Sequence, residues 1–174
     1  MRSTGIVRRM DELGRVVIPK ELRRTMRIKE GEEIEVVQKD DTLVLKKYSA
    51  VSEMIDFQME YASSVYRTTG YTAIITDNDK IVALSGDLSK CSIGSSIDEG
   101  LREIIECRKT EVFKGSMVKG FFDGKVSEVK GQVVVPIIVR GDCMGAVVLY
   151  SKKEPTETLL KTAETCAHFI GSRL

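Results

Sequence analysis

The residues of this sequence best placed to do chemistry are cations. Lys20, Arg23, Arg24 and Arg27 recur at i, i+3, i+4 and i+7, the spacing that lays side chains along one face of a helix. Arg8, Arg9 and Arg15 precede them, and residues 1–29 hold nine Lys and Arg against three acids, a local charge of +6. Residues 30–47 reverse this with six acids against three lysines, and the whole chain of 174 residues balances at +1. Seven of the nine N-terminal cations are arginine, whose planar fork matches phosphate oxygens and guanine edges better than the point charge of lysine. A basic block inside a neutral protein points to a polyanion-binding face, with a solvated charged surface as the plain alternative.

Other reactive side chains do not assemble into a site. Cys91, Cys107, Cys143 and Cys166 show no C-x-x-C spacing, so they read as small buried hydrophobes or free thiols, not a disulfide frame or zinc knuckle. His168, the single histidine, sits in a late helical stretch and reads as structural. Asp77-Asn78-Asp79 is no calcium loop, because Ile81 stands where another ligand is needed. The sequence lacks G-x-G-x-x-G, a phosphate loop, H-E-x-x-H and a nucleophile elbow. Neither an enzyme nor a metal or cofactor site is therefore expected. A content of 42% hydrophobic and 30% charged residues excludes a wholly disordered chain, and no apolar run reaches membrane-span length. The N-terminus has no apolar signal core, so a cytoplasmic, nucleoid-associated protein without membrane attachment is expected.

The cations need elements to hold them. Residues 6–10 and 15–18 read as strands around the turn Asp11-Glu12-Leu13-Gly14. Pro19 suits the first position of a short helix from Lys20 to about Arg27, with Leu22 and Met26 as its apolar edge. A hairpin of 34–36 and 43–45 around Asp40-Asp41 completes a module of residues 1–48. Forty-eight residues without metal or disulfide are too few for a self-sufficient core, so the module should share one with a second copy.

Residues 49–68 read as a linker helix, with Val51, Met54, Ile55, Tyr61, Ala62 and Val65 near one stripe that Gln58 interrupts. A short coiled coil and a core helix of the next domain fit equally. From residue 69 to 174 the pattern is α/β. Strands are expected at 71–76 and 81–85, and Ser96-Ile97-Asp98-Glu99 reads as a capping box opening a helix with Ile97, Leu101, Ile104 and Ile105 buried. Short strands and loops follow at 113–122 and 126–129. The apolar runs 132–139 and 144–150 then form a central hairpin around Arg140-Gly141-Asp142, covered by helices on at least one face. Pro136 places one of these strands near an edge or a bulge. A last helix over about 155–172 turns Leu159, Leu160, Ala163, Ala167 and Ile170 to the sheet.

The stretch from Thr4 to Arg24, with its D-x-L-G-R-V-V-I-P-x-E-L-R-R core, closely resembles the AbrB family of transition-state regulators. That resemblance implies an N-terminal swapped-hairpin β-barrel, built as an intertwined dimer, with DNA contacts at Arg8, Arg15, Arg23 and Arg24. Arg9, Lys20 and Arg27 join them from charge and spacing. The remainder resembles a GAF domain through its element order, with a central antiparallel sheet flanked by helices. The expected class is thus α+β: a DNA-binding head at 1–48, a linker helix at 49–68 and a sensory or oligomerising tail at 69–174. The resemblance further implies a homodimer through the head, a homotetramer through the tail, and activation or repression of sporulation-stage genes. No known GAF ligand carries over, so a tail that binds an unidentified small molecule and one that only oligomerises stand side by side. The alternative function is an antitoxin-like swapped-hairpin protein that binds a toxin partner. An RNA-binding role is disfavoured, because no aromatics interleave with the basic block.

Overall fold

The computed structural model describes residues 5–174 except 87, 90, 123, 124 and 127. Arg2 and Thr4 of the basic head, and Ser127 within the expected run 126–129, lie outside the described residues. The chain divides into two compact units, Met1–Tyr48 and Ser49–Leu174.

The first unit contains α1 (Lys20–Thr25), β1 (Ile34–Lys39) and β2 (Thr42–Lys47). The two strands pair antiparallel from Ile34 opposite Lys47 to Lys39 opposite Thr42, which is the hairpin expected around Asp40-Asp41. Glu35 and Lys46 face each other in that register and their side chains meet at 2.9 Å, a favourable cross-strand pair. Residues 6–10 and 15–18, expected as strands, carry no strand pairing within the single chain. Between them Gly14 N–H donates to Asp11 O and Asp11 N–H to Arg15 O, each at 3.0 Å. A ladder beyond that turn needs backbone from another segment, and the described residues of this chain supply none there. Pro19 is the only buried residue among the described residues of this unit. Val7, Leu13 and Val17 are 91, 76 and 72% exposed, so the unit taken alone has almost no core.

The second unit opens with α2 (Ala50–Glu53) and α3 (Ile55–Thr69), followed by β3 (Thr72–Thr76), β4 (Ile81–Ser85) and the short β5 (Leu88–Ser89). Next come α4 (Glu99–Cys107), β6 (Glu111–Lys114) and the short β7 (Lys125–Val126). The long strands β8 (Gly131–Val139) and β9 (Asp142–Ser151) and the closing helix α5 (Glu157–Gly171) complete the chain. Five strands form an antiparallel sheet in the order β4-β3-β9-β8-β6, and β5 pairs with β7 apart from it.

Side chains alternate across this sheet with the strand period of two. Ala73, Ile75, Val133, Val135, Val147 and Leu149 pack with Ala62 and Val65 of α3 and Leu159, Ala163 and Ile170 of α5. Ile74, Val134, Ala146, Val148 and Tyr150 pack with Leu101, Ile104 and Ile105 of α4 and with Phe121. Burial on both faces explains why β8 and β9 read as unbroken apolar runs. Arg140 and Gly141 turn between them with φ of 50° and 94°, the two-residue geometry that matches strand twist. Gly145 follows a shift of register opposite Ile137 and Ile138. Its φ is 153°, and a Cβ there would overlap the Thr76 carbonyl of β3.

Between the two helical readings of 49–68, the residues choose the core. Val51, Ala62 and Val65 are buried against the sheet. Gln58, which interrupts the apolar stripe, is fully buried and donates from Nε2 to Val51 O at 2.7 Å, tying α3 to α2. The expected capping box shifts by two residues. Asp98 caps α4, its Oδ1 accepting from Leu101 N–H at 2.9 Å, while Ser96 is taken up in a bridge with Lys80. Pro136 has both expected settings, since β6 pairs only with 131–134 and the register with β9 shifts between Ile137 and Ile138, where β9 carries Met144 as an extra residue.

Candidate nucleic-acid interface

The basic helix is short because both its ends are set locally. Pro19 precedes its first residue with φ −55° and ψ 144° and makes no side-chain cap. At the other end Ile28 N–H donates to Arg23 O at 2.8 Å and Arg27 N–H to Arg24 O at 3.2 Å. This double bond pattern closes a helix and requires a left-handed residue, normally glycine. Arg27 fills it with φ 53°. The expected stripe therefore loses its last member: Arg27 leaves the helix axis and does not continue the i+7 register. Lys20, Arg23 and Arg24 remain, all exposed and within about 100° of one another around the axis. Arg23 and Arg24 lie in the last turn, where the helix dipole favours cations.

Arg15 is exposed on the preceding turn, but it is not unaccompanied. Its Nε donates to Asp11 Oδ2 at 2.8 Å. The other oxygen of Asp11 accepts from Leu13 N–H at 3.0 Å and from Arg15 N–H at 2.8 Å. The Arg15 backbone and guanidinium hold the Asp11 carboxyl below its ordinary value. Arg8 and Arg9 are exposed on the segment leading into this turn. The structure thus groups Lys20, Arg23 and Arg24 on one helix, sets Arg15 on a braced turn, and leaves Arg8, Arg9 and Arg27 on irregular backbone.

Two acids of this unit were not among the expected site residues. Asp11 orients Arg15, and the D-x-x-G turn around it was the available signal. Glu32 accepts from Lys29 N–H at 2.8 Å and pairs with the Lys47 ammonium at 2.7 Å, fixing the loop after α1 to β2.

Elsewhere, titratable groups serve packing. Asp77 is buried, accepting Asp79 and Lys80 N–H on one oxygen and the Ser49 and Ser52 hydroxyls on the other. No group of three His, Cys, Asp or Glu suited to a metal ion occurs among the described residues. The four cysteines are free thiols. Burial pushes the Cys166 thiol up to about 11. His168 is exposed on α5. Open clefts of about 470 Å³ beside Tyr61 and Lys161 and about 390 Å³ beside Arg108 and His168 mark the second unit. Among the described residues, no helix is long and apolar enough to cross a membrane.

A near-coreless head carrying arginines on a helix and a braced turn, joined to a two-faced antiparallel sheet, defines a two-part chain with an AbrB/MazE-type head and a GAF-like tail. Residues 7–52 match the family described as antidote-toxin recognition MazE, bacterial antitoxin. Residues 53–174 match the family described as stage V sporulation protein T C-terminal, transcription factor. Stage V sporulation protein T of Bacillus subtilis (strain 168) is 40% identical over 176 residues, covering 100% of this chain and 99% of that protein. Transition state regulatory protein AbrB of the same organism is 60% identical over 48 residues, 28% of this chain and 50% of that protein. Among solved structures, the cofactor-binding GAF domain of the nutrient sensor CodY from Clostridium difficile superposes with a TM-score of 0.52. It is 14% identical, and the match covers 88% of this chain and 93% of that one. The chain belongs to the stage V sporulation protein T family of transcription factors.

Proposed function

We propose that this chain is a double-stranded-DNA-binding transcription regulator of sporulation-stage genes, an activator, a repressor or both, acting in the cytoplasm on the nucleoid. The observation that carries this reading is the exposure of Lys20, Arg23 and Arg24 on one short helix. None of the three makes a side-chain pair among the described residues. Arg8 and Arg15 extend the same contact set, with Arg9 and Arg27 as its outer members. Exposed Val7, Leu13 and Val17 support a head completed by the intertwined hairpins of a second copy, and the tail joins two such dimers into a tetramer.

A dimer offers eight arginines from positions 8, 15, 23 and 24. If about six meet phosphates, counterion release sets a slope of roughly −5 in log affinity against log salt. Fluorescence anisotropy of a labelled duplex between 50 and 200 mM salt tests this; affinity that ignores salt overturns it. The protein is proposed to have no catalytic activity. A small molecule acting on the tail changes DNA binding only through unequal affinity for two tail states. The antitoxin reading is set aside, because the 40% identity runs through the tail as well as the head and that tail is folded.

A further inference from the structure

We propose that the second unit carries a small-molecule site at the free rim of β8, and that the site takes a short aliphatic carboxylate. It lies wholly within that unit and is independent of the DNA-binding reading above.

The cleft exists because a ladder stops early. β6 pairs with β8 from Lys114 opposite Gly131 to Glu111 opposite Val134. In that register Thr110 would face Val135, but the chain has left the ladder there. It comes from the end of α4, where Arg108 turns it with φ 56° and donates its N–H to Ile105 O at 3.1 Å. β8 runs on to Val139 with only β9 beside it among the described residues. The gap left along 135–138 is a cleft of about 390 Å³, inside the range of about 300–1,000 Å³ that small-molecule sites occupy.

Its lining is apolar below and polar at the sides. Val135, Pro136 and Ile138 of β8 and Ala167 of α5 are the apolar part. α4 and α5 pack on opposite faces of the sheet, so Arg108 and Thr110 enter from one side and Glu164 and His168 from the other. The charges are unequal. Glu164 is already paired with the Lys161 ammonium at 2.8 Å. The Arg108 guanidinium meets no carboxylate among the described residues. It lies beside the Cys143 thiol, which burial pushes up and Arg108 draws partly down. The cleft therefore offers one uncompensated cation above an aliphatic floor. A guanidinium takes a carboxylate through paired N–H donors, and an alkyl chain gains by covering the floor. A single fixed cation does not suit a polyanion. Pro136 has no N–H to give an added strand, so a small molecule fits the rim better than a peptide.

The test titrates sodium octanoate into the full-length chain and follows its backbone amide resonances. Saturable shifts are expected at Thr110, Ile138 and Ala167, with a Kd on the order of 1 mM. Arg108→Gln should weaken binding by about tenfold or more, and Arg108→Lys should recover part of that loss. Ile138→Asp, at a position 47% exposed, should abolish binding without changing the melting curve. Lys109→Gln, a neighbouring cation outside the lining, should leave the Kd unchanged. Octylamine and inorganic phosphate should each bind at least about tenfold more weakly than octanoate. Shifts that never saturate, that centre elsewhere, or that survive Arg108→Gln overturn the site. Octylamine binding as tightly as octanoate at the same residues overturns the carboxylate, and phosphate doing so overturns the aliphatic part. Any of these failures leaves the DNA-binding reading standing.

Discussion

Asp11 grips Arg15 twice, through the Arg15 backbone N–H at 2.8 Å and through its guanidinium Nε at 2.8 Å. One carboxylate thus shapes the turn and aims a cation on it, leaving the terminal guanidinium nitrogens for an anion. Asp11→Asn should keep the turn through its remaining acceptor and lose the charged pair; Asp11→Ala should lose both. Duplex affinity should then fall in the order wild type, Asn, Ala. Equal affinity across the three would remove any role for the brace.

The same pair fixes a pH response. The folded-state carboxyl lies below its ordinary value of 3.8. Its contribution is therefore complete above that value and is lost as pH falls through the lower folded value. Carboxyl chemical shifts of Asp11 should stay flat from neutral pH to about pH 5 and move only in more acidic solution. A midpoint above 4 would contradict the pairing.

Arg23→Ala with Arg24→Ala removes four cations from a dimer. Both side chains are exposed, so thermal unfolding should not change. The salt slope should shrink by about 3–4 if all four meet phosphates. Unaltered gel-shift affinity would mean that α1 does not face the duplex.

A fragment of residues 1–48 should fold only as an oligomer, because its described part buries a single residue as one chain. Circular-dichroism melts should rise in midpoint with protein concentration. A cooperative, concentration-independent melt from a monomer by sedimentation would refute the shared core.

In the tail, Gly145→Ala should cost about 2–4 kcal/mol by chemical denaturation, from backbone strain plus collision with Thr76. A wild-type-like midpoint would show that β3 and β9 can separate there without penalty.

The half-buried Tyr61 hydroxyl and the buried Cys166 thiol predict an alkaline limit. Burial pushes Tyr61 up to about 12 and Cys166 up to about 11. Raised folded values mean that their contribution is intact below the ordinary values and disappears as pH climbs through the folded ones. Exposed Cys107 should alkylate first at pH 8, with Cys166 protected until unfolding. Early labelling of Cys166 would contradict its burial.

Much of the tail was legible because period and burial agree. The stripe Leu101, Ile104 and Ile105 and the two long apolar runs each had one physical solution once covered on both faces. The cap of α4 was misplaced because Ser96 and Asp98 both offer side-chain oxygens two residues apart, and only the bridge to Lys80 decides between them. The head was legible in charge but not in hydrogen bonding. Arg27 carries the right spacing, yet the turn closing α1 needed a left-handed residue at that position. Segments 6–10 and 15–18 carry the β-branched residues of strands, but pairing depends on what lies opposite, and no pattern within one chain states that.

Beyond Val134 the outer rim of β8 has no neighbouring strand among the described residues. A straight, apolar rim of that kind is a template for chain-to-chain polymerisation. Pro136 lacks the donor such stacking requires, and the extra residue of β9 opposite Ile137 and Ile138 increases the local twist of the pair. The proline therefore acts as a stopper against fibre growth, keeping a sheet whose inner strands are almost wholly aliphatic from recruiting copies of itself.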